Sequence, residues 1–271
     1  IDISDKPRFA WRGLMLDVSR HFFTKQEVKR FIDLMAEYKY NVFHWHLSDD
    51  QGWRVEIKSL PRLTDVGAWR APRVGNWWER EPQSVTDSLT YGGFYTQDDI
   101  REVVEYARER FITVVPEIDV PGHSMALLTA YPEISCTGGP FHVNVGNTFY
   151  TKEENSLCVG KEKTFAILDM IFDELVDLFP SSYIHIGGDE CYKGFWAKCP
   201  DCRARMSSKQ LQNVEELQSY FVKRVASHMQ SKGKHVIGWD EILEGGLAKD
   251  AIVMSWRGMK GGVEAARQGH R

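Results

Sequence analysis

The sequence predicts an α/β fold, a (β/α)8 barrel of which about six of the eight strands lie in this chain. Three observations carry that expectation: strand and helix signals alternate, the strand runs are apolar on both faces, and polar residues crowd the C-terminal end of nearly every strand. The chain has 271 residues, enough for one large domain, and neither a repeat nor a low-complexity linker divides it. Residues 1–271 are therefore read as a single barrel domain.

The first apolar run, 13–18, precedes Thr24-Lys25-Gln26-Glu27, a capping-box pattern that opens a helix. Val28, Phe31, Ile32, Met35 and Tyr38 then recur at helical spacing. A strand at 40–47 leads into a long segment, 49–93, that carries Trp53, Trp69, Trp77 and Trp78 and reads as an elaborated binding loop. Thr96 to Asp99 opens a helix with Ile100, Val103, Val104 and Ala107 on one face, followed by a strand at 111–115. Phe165, Leu168, Phe172, Leu175, Val176 and Phe179 mark a third helix, which Pro180 ends before a strand at 183–186. Val214, Leu217, Phe221 and Val225 mark a fourth, and the runs 235–239 and 251–256 supply two more strands. Six strands cannot close a barrel of eight, so the first and sixth should have unpaired edges. An open doubly wound sheet is the competing architecture.

Composition narrows the function classes. A net charge of −4 supplies no basic field for a nucleic-acid backbone. No apolar run approaches the roughly 18 residues of a membrane span, and no signal peptide is visible. Nine tryptophans suit a ligand with flat C–H faces, such as a sugar. Of the five cysteines, Cys199 and Cys202 have CxxC spacing with Cys191 nearby, while Cys136 and Cys158 stand apart. A zinc site takes four ligands, and neither a second CxxC nor an HxxxH pair is visible. No metal or other cofactor is expected.

The polar strand ends are the strongest functional signal. Asp17 and Arg20 follow the first strand, His44, His46, Ser48, Asp49 and Asp50 close the second, and Glu117, Asp119 and His123 close the third. Gly187-Gly188-Asp189-Glu190 ends the fourth, Trp239-Asp240-Glu241 the fifth, and Trp256-Arg257 the sixth. In a barrel these ends meet at one mouth. Acids at a helix N-terminus offer an alternative account of Asp189 and Glu190. His44 and His46 share a strand face and suit either a metal or internal hydrogen bonds, and the sequence favours the latter.

These segments resemble glycoside hydrolase family 20, the β-N-acetylhexosaminidases. The resemblance rests on Arg12-Gly13-Leu14-Met15-Leu16-Asp17-Val18-Ser19-Arg20-His21-Phe22, on His44-Trp45-His46-Leu47-Ser48-Asp49-Asp50-Gln51-Gly52-Trp53-Arg54, and on the segment 116–123. His185 to Glu190, Gly238-Trp239-Asp240-Glu241 and Ser255-Trp256-Arg257-Gly258 complete it, in order, over 7–271. The small α/β domain that usually precedes the family's barrel is not seen, nor are its last two strands. The resemblance implies an exo-acting retaining hydrolase of terminal β-linked N-acetylhexosamine, acting on oligosaccharides or glycoconjugates, and outside the cytoplasm, where such glycans are mostly met. It implies that Glu190 is the general acid/base and that Asp189 orients the 2-acetamido group. It further implies that Arg12 grips ring hydroxyls, that Trp239 and Trp256 wall the acetamido pocket, that Asp49 and His123 form a relay to Glu190, and that Asp119 supports Arg12 or His123. In an extended chain, neighbours such as Asp189 and Glu190 point to opposite sides and cannot flank one bond as a two-carboxylate pair would. Substrate assistance, the family's route, removes that difficulty.

Overall fold

Six parallel strands in strictly sequential order form the main sheet of the computed structural model, which describes residues 2–146 and 153–270. They are β1 (Gly13–Asp17), β2 (Val42–Asp49), β3 (Thr113–Ile118), β4 (Tyr183–His185), β5 (His235–Trp239) and β6 (Ile252–Met254). The order never reverses, so the doubly wound alternative, which needs a switch point, is excluded. The sheet is a curled arc of a (β/α)8 barrel, and among the described residues β1 and β6 each pair with one neighbouring strand. Ile1 and Arg271, the ends of the expected domain span, lie outside the described residues.

The predicted capping box at Thr24 forms, and a second one opens the helix expected at Thr96. Thr24 accepts the Glu27 amide while Glu27 bonds back to the Thr24 amide, opening helix α1 (Lys25–Glu37). Thr96 and Asp99 do the same for α2 (Gln97–Arg108). Helices α3 (Glu162–Leu178), α4 (Pro200–Lys209), α5 (Val214–Ser231) and α6 (Met259–Arg267) follow. Helix α4 is unexpected: Pro200 at its first position needs no amide partner, so what looks like a CxxC turn starts a helix.

Strand β2 shows how alternation sorts the side chains. Phe43, Trp45 and Leu47 are fully buried outward against the helices, within the main hydrophobic core. Val42, His44 and His46 point inward. Val42 joins Val115 and Ile237 in a small apolar cluster. Toward the C-terminal ends of the strands, His44, Glu117, His185 and Trp239 form a polar layer above it. Between β1 and β6 the interior opens as a cavity of about 510 Å³ bordered by Met15, Trp239 and Met254.

The segment 49–93 is anchored by Gly52–Trp53, antiparallel to β2, and by the pair Trp69–Arg70 and Tyr91–Gly92. Arg54 is fully buried beneath it with no carboxylate partner among the described residues. Its guanidinium instead donates to the carbonyls of Val18 (2.9 Å), Ser19 (2.7 Å), Ala68 (2.7 Å) and Gly93 (3.0 Å). Burial, and then the charge of Arg70, lowers its pKa to about 10, so it stays protonated at neutral pH. One cation thus pins the loops after β1 and β2 to each other. Arg54→Met keeps the bulk but leaves these carbonyls without donors. It should cost about 3–5 kcal/mol in urea unfolding, the range for breaking a buried charged network. A loss near the ~0.5 kcal/mol of an exposed substitution would remove Arg54 from that role.

Candidate active site

The C-terminal ends of β1 to β4 converge on Asp49 and His123. Asp49 is buried at the end of β2 and accepts from four directions: His46 Nε2 (2.8 Å), Arg20 Nη1 (2.7 Å), His123 Nδ1 (3.1 Å) and the Asp50 amide (2.7 Å). Burial opposes its ionisation, but the Arg20 and His123 charges and the bonds from His123 and His46 outweigh that. Its carboxyl is held well below the usual carboxylate range. His123 shows the converse. Burial disfavours its cation, yet Asp49 and Asp119 raise its pKa well above the ordinary value.

The other ring nitrogen of His123 faces both predicted catalytic carboxylates. Nε2 lies 3.4 Å from Glu190 Oε2 and 3.6 Å from Asp189 Oδ2. The expectation that the two acids point to opposite sides is therefore overturned. Strand β4 ends at His185, and the following chain is not extended: Gly187, Gly188 and Glu190 have φ of +67°, +94° and +43°. A side chain at Gly187 would place its Cβ 1.8 Å from Asp119 Oδ1. Glycine there lets the backbone fold over Asp119 and swings both acids to one side. No helix begins at the pair, since the nearest one starts at Gly194, which rules out the helix-terminus account of the acids.

The two carboxyls differ sharply in environment. Asp189 is 17% exposed, and its Oδ1 is buried without a hydrogen-bond partner. Burial chiefly, together with the negative charges of Glu117 and Asp49, lifts its pKa to about 6. Glu190 is 42% exposed and opens onto a groove of about 580 Å³ that Tyr192, Glu241, Trp256 and Arg257 also line. Its approach to His123 lowers its pKa. Asp119, buried behind the pair, is pushed well upward by burial and by Asp189.

Arg12 requires correction. It precedes β1, so it lies at the opposite end of the barrel, about 16 Å from the mouth for five strand residues. Its guanidinium donates to the carbonyls of Lys39 and Phe9, both at 2.7 Å. Arg20, beyond the C-terminal end of β1, holds the place assigned to Arg12. Its Nη1 contacts Asp17 (2.9 Å), His46 (3.3 Å) and Asp49.

The two tryptophans also part company. Trp239 lines the interior cavity and donates to Glu117 Oε1 (3.1 Å), whereas Trp256, half-exposed, lines the groove of Glu190. Glu241, to which the sequence assigned no role of its own, links Trp256 to Glu190: its carboxylate accepts the Glu190 amide (2.9 Å) and the Trp256 indole (3.3 Å). Glu117 is a second hub, fully buried and bonded to His44 (2.7 Å) and His46 (2.6 Å), with His185 Nδ1 3.0 Å away. Residues 9–271 match the model for the glycosyl hydrolase family 20 catalytic domain. The chain belongs to that family. It is 47% identical to a β-hexosaminidase of Porphyromonas gingivalis, over all of this chain and 33% of that protein. The chitobiase structure of Flavobacterium johnsoniae is 43% identical, with a TM-score of 0.83 over 99% of this chain and 38% of its own. The exo-β-N-acetylglucosaminidase of Vibrio harveyi, solved with N-acetylglucosamine, is 39% identical, with a TM-score of 0.83 over 98% of this chain and 41% of its own. The chain thus spans between a third and a half of the length of these family 20 relatives.

Proposed function

We propose that this family 20 chain supplies the acid/base machinery of an exo-acting, retaining β-N-acetylhexosaminidase that works by substrate assistance. The observation that carries the reading is the placement of Asp189 and Glu190 against one imidazole nitrogen. Carboxyls that flank a glycosidic bond as acid and nucleophile stand about 5 Å apart on opposite sides of it. Here both sit against the same imidazole nitrogen, which suits a proton donor beside a group that orients the substrate, with the nucleophile supplied by the substrate itself. The substrate's 2-acetamido oxygen serves: it bonds to the anomeric carbon as the bond to the leaving oxygen breaks, and Glu190 delivers a proton to that oxygen. Water then attacks the anomeric carbon of the oxazolinium and gives its proton to Glu190, restoring the acetamido group with retained configuration. The unpartnered Oδ1 of Asp189 is suited to accept the acetamido N–H.

His123 supplies the proton balance. In the free site it carries the proton and Glu190 the negative charge. A sugar seated over Glu190 removes water from it and favours its neutral, proton-donating form. The names borne by the relatives, and the sugar held by the Vibrio harveyi enzyme, support N-acetylhexosamine as the substrate. The test is hydrolysis by the natural full-length protein of 4-nitrophenyl β-glycosides of GlcNAc, GalNAc and glucose. The acetamido sugars should be cleaved and the glucoside left nearly untouched. Equal cleavage of all three would sink substrate assistance, and cleavage of none would sink the enzyme.

Arg20 is placed to hold the ring hydroxyls of the terminal sugar. Arg20→Lys keeps the charge but loses the planar fork, and should raise KM about 10–100-fold with kcat little changed, the worth of one or two charge-assisted bonds. Arg12→Lys, at the far end of the barrel, should leave KM unaltered. The opposite pattern would return the role to Arg12.

A further inference from the structure

Four of the five cysteines, drawn from three separate stretches of chain, come together. One thiol sulfur each from Cys136, Cys158, Cys199 and Cys202 lies within 4.8 Å of all the others. The closest pairs are Cys158–Cys199 and Cys158–Cys202 at 3.6 Å and Cys136–Cys202 at 3.8 Å. Three of the residues are buried and Cys136 is half-buried.

The spacing discriminates between the chemistries open to four thiols. A disulfide brings its sulfurs to about 2.05 Å, and all five cysteines are free. A tetrahedral ion bound at the Zn–S length of about 2.3 Å holds its sulfurs about 3.8 Å apart. The three measured distances match the second figure. Soft thiolates arranged as a tetrahedron select zinc over magnesium or calcium. We propose that Cys136, Cys158, Cys199 and Cys202 form a structural zinc site.

The surrounding chain is built around this cluster. Cys199 directly precedes α4 and Cys202 lies in its first turn, where the helix dipole favours thiolate. The loop bearing Cys158 runs so close to that turn that a Cβ on Gly160 would stand 2.3 Å from the Cys202 amide nitrogen. The Cys158 amide donates to the Ile134 carbonyl at 2.8 Å, which ties this loop to the turn before Cys136. Lys161 reaches the Ser135 carbonyl (2.7 Å) and Arg205 the Gly160 carbonyl (3.1 Å), so two cations flank a centre that carries net negative charge when loaded.

The site joins two active-site loops. Cys136 and Cys158 belong to the connection after β3, which also carries His123. Cys199 and Cys202 belong to the connection after β4, which carries Asp189 and Glu190. All four ligand positions are filled by protein, so the ion has no open position for chemistry. It acts as a staple that fixes one loop against the other. Cys191 is outside the cluster, although it follows Glu190 directly.

The test is elemental analysis of the native protein purified without chelator, with thiols counted under denaturation. The site predicts about one zinc held by this domain, the four thiols of Cys136, Cys158, Cys199 and Cys202 all free under denaturation, and release of the zinc by a mercurial reagent in step with their modification. Cobalt(II) exchanged into the site should show the visible bands of a tetrahedral tetrathiolate. Cys202→Ser should lose the zinc and Cys191→Ser should keep it. Because the first measurements use unaltered protein, a variant that fails to fold does not blunt them. Four free thiols with no bound metal, a disulfide among the four, or iron in place of zinc would each overturn the assignment.

Discussion

Glu190→Gln should lower kcat/KM for N,N′-diacetylchitobiose by about 10²–10⁴-fold, the usual worth of general acid–base assistance. Glutamine preserves size and the contact with His123 but cannot donate the proton that the departing sugar hydroxyl needs. The loss should depend on the leaving group. A 4-nitrophenolate departs readily without a proton, so the same variant should lose much less on 4-nitrophenyl β-GlcNAc. Parallel kcat/KM measurements on the two substrates isolate the acid role from general damage. Damage to folding or binding would depress both alike, whereas a missing acid opens a gap between them. Equal losses, or none, would take Glu190 out of the mechanism.

The same carboxyl shows why unliganded geometry alone does not describe an acid. With His123 protonated, Glu190 is held as a carboxylate. Asp49, ionised by Arg20 and His123, keeps the proton on the imidazole one bond away. In the proposed mechanism the proton is stored next to the acid and moves onto it when substrate replaces water. Alkaline loss of kcat/KM then belongs to the His123–Glu190 pair together, not to either group alone.

Much of this site was legible in the chain because parallel strands carry direction. Once Thr24 and Thr96 mark helix starts, the polar residues that follow each apolar run must share one end of the sheet, and Asp49, His123, Asp189 and Glu190 do. The same reasoning, applied strictly, disqualifies Arg12, which precedes its strand, and favours Arg20, which follows it. Motif resemblance drew attention to the wrong arginine of the pair. Other features were not legible for physical reasons. The chain turns left-handed at Gly187, Gly188 and Glu190 where Gly187 packs over Asp119, a long-range contact that an extended-chain reading of the two acids does not contain. The cysteine cluster draws its sulfurs from three separate stretches of chain, and only the CxxC of Cys199 and Cys202 is local enough to be read. Glu241 looked like one more strand-end acid, because its bonds to the Glu190 amide and the Trp256 indole depend on how two loops meet.

Asp189→Asn should separate activity from stability more sharply than any other change in this chain. On the 4-nitrophenyl GlcNAc substrate it should cut kcat by about 10²–10³-fold, comparable to removing one preorganised electrostatic partner from a transition state, while KM changes little. The amide still meets the acetamido group but cannot offset the positive charge that grows on it. Stability should move the other way. The Asp189 carboxyl has a pKa of about 6 in the fold, mainly because it is buried, against an ordinary value of 3.8. A carboxyl raised in this way contributes fully below its unfolded value and loses that contribution as pH climbs through the folded one. Asparagine is neutral throughout and does not take part in that loss. The variant and the native protein should therefore have similar Tm near pH 4, diverge between about pH 4 and 6, and differ by a constant amount above it. Two pKa units correspond to about 2–3 kcal/mol in favour of Asn at neutral pH. Thermal melts of both proteins from pH 4 to 8 decide the matter. A variant less stable than the native protein at pH 7.5, or a Tm difference that ignores pH, would mean that the Asp189 charge is already compensated in the free site.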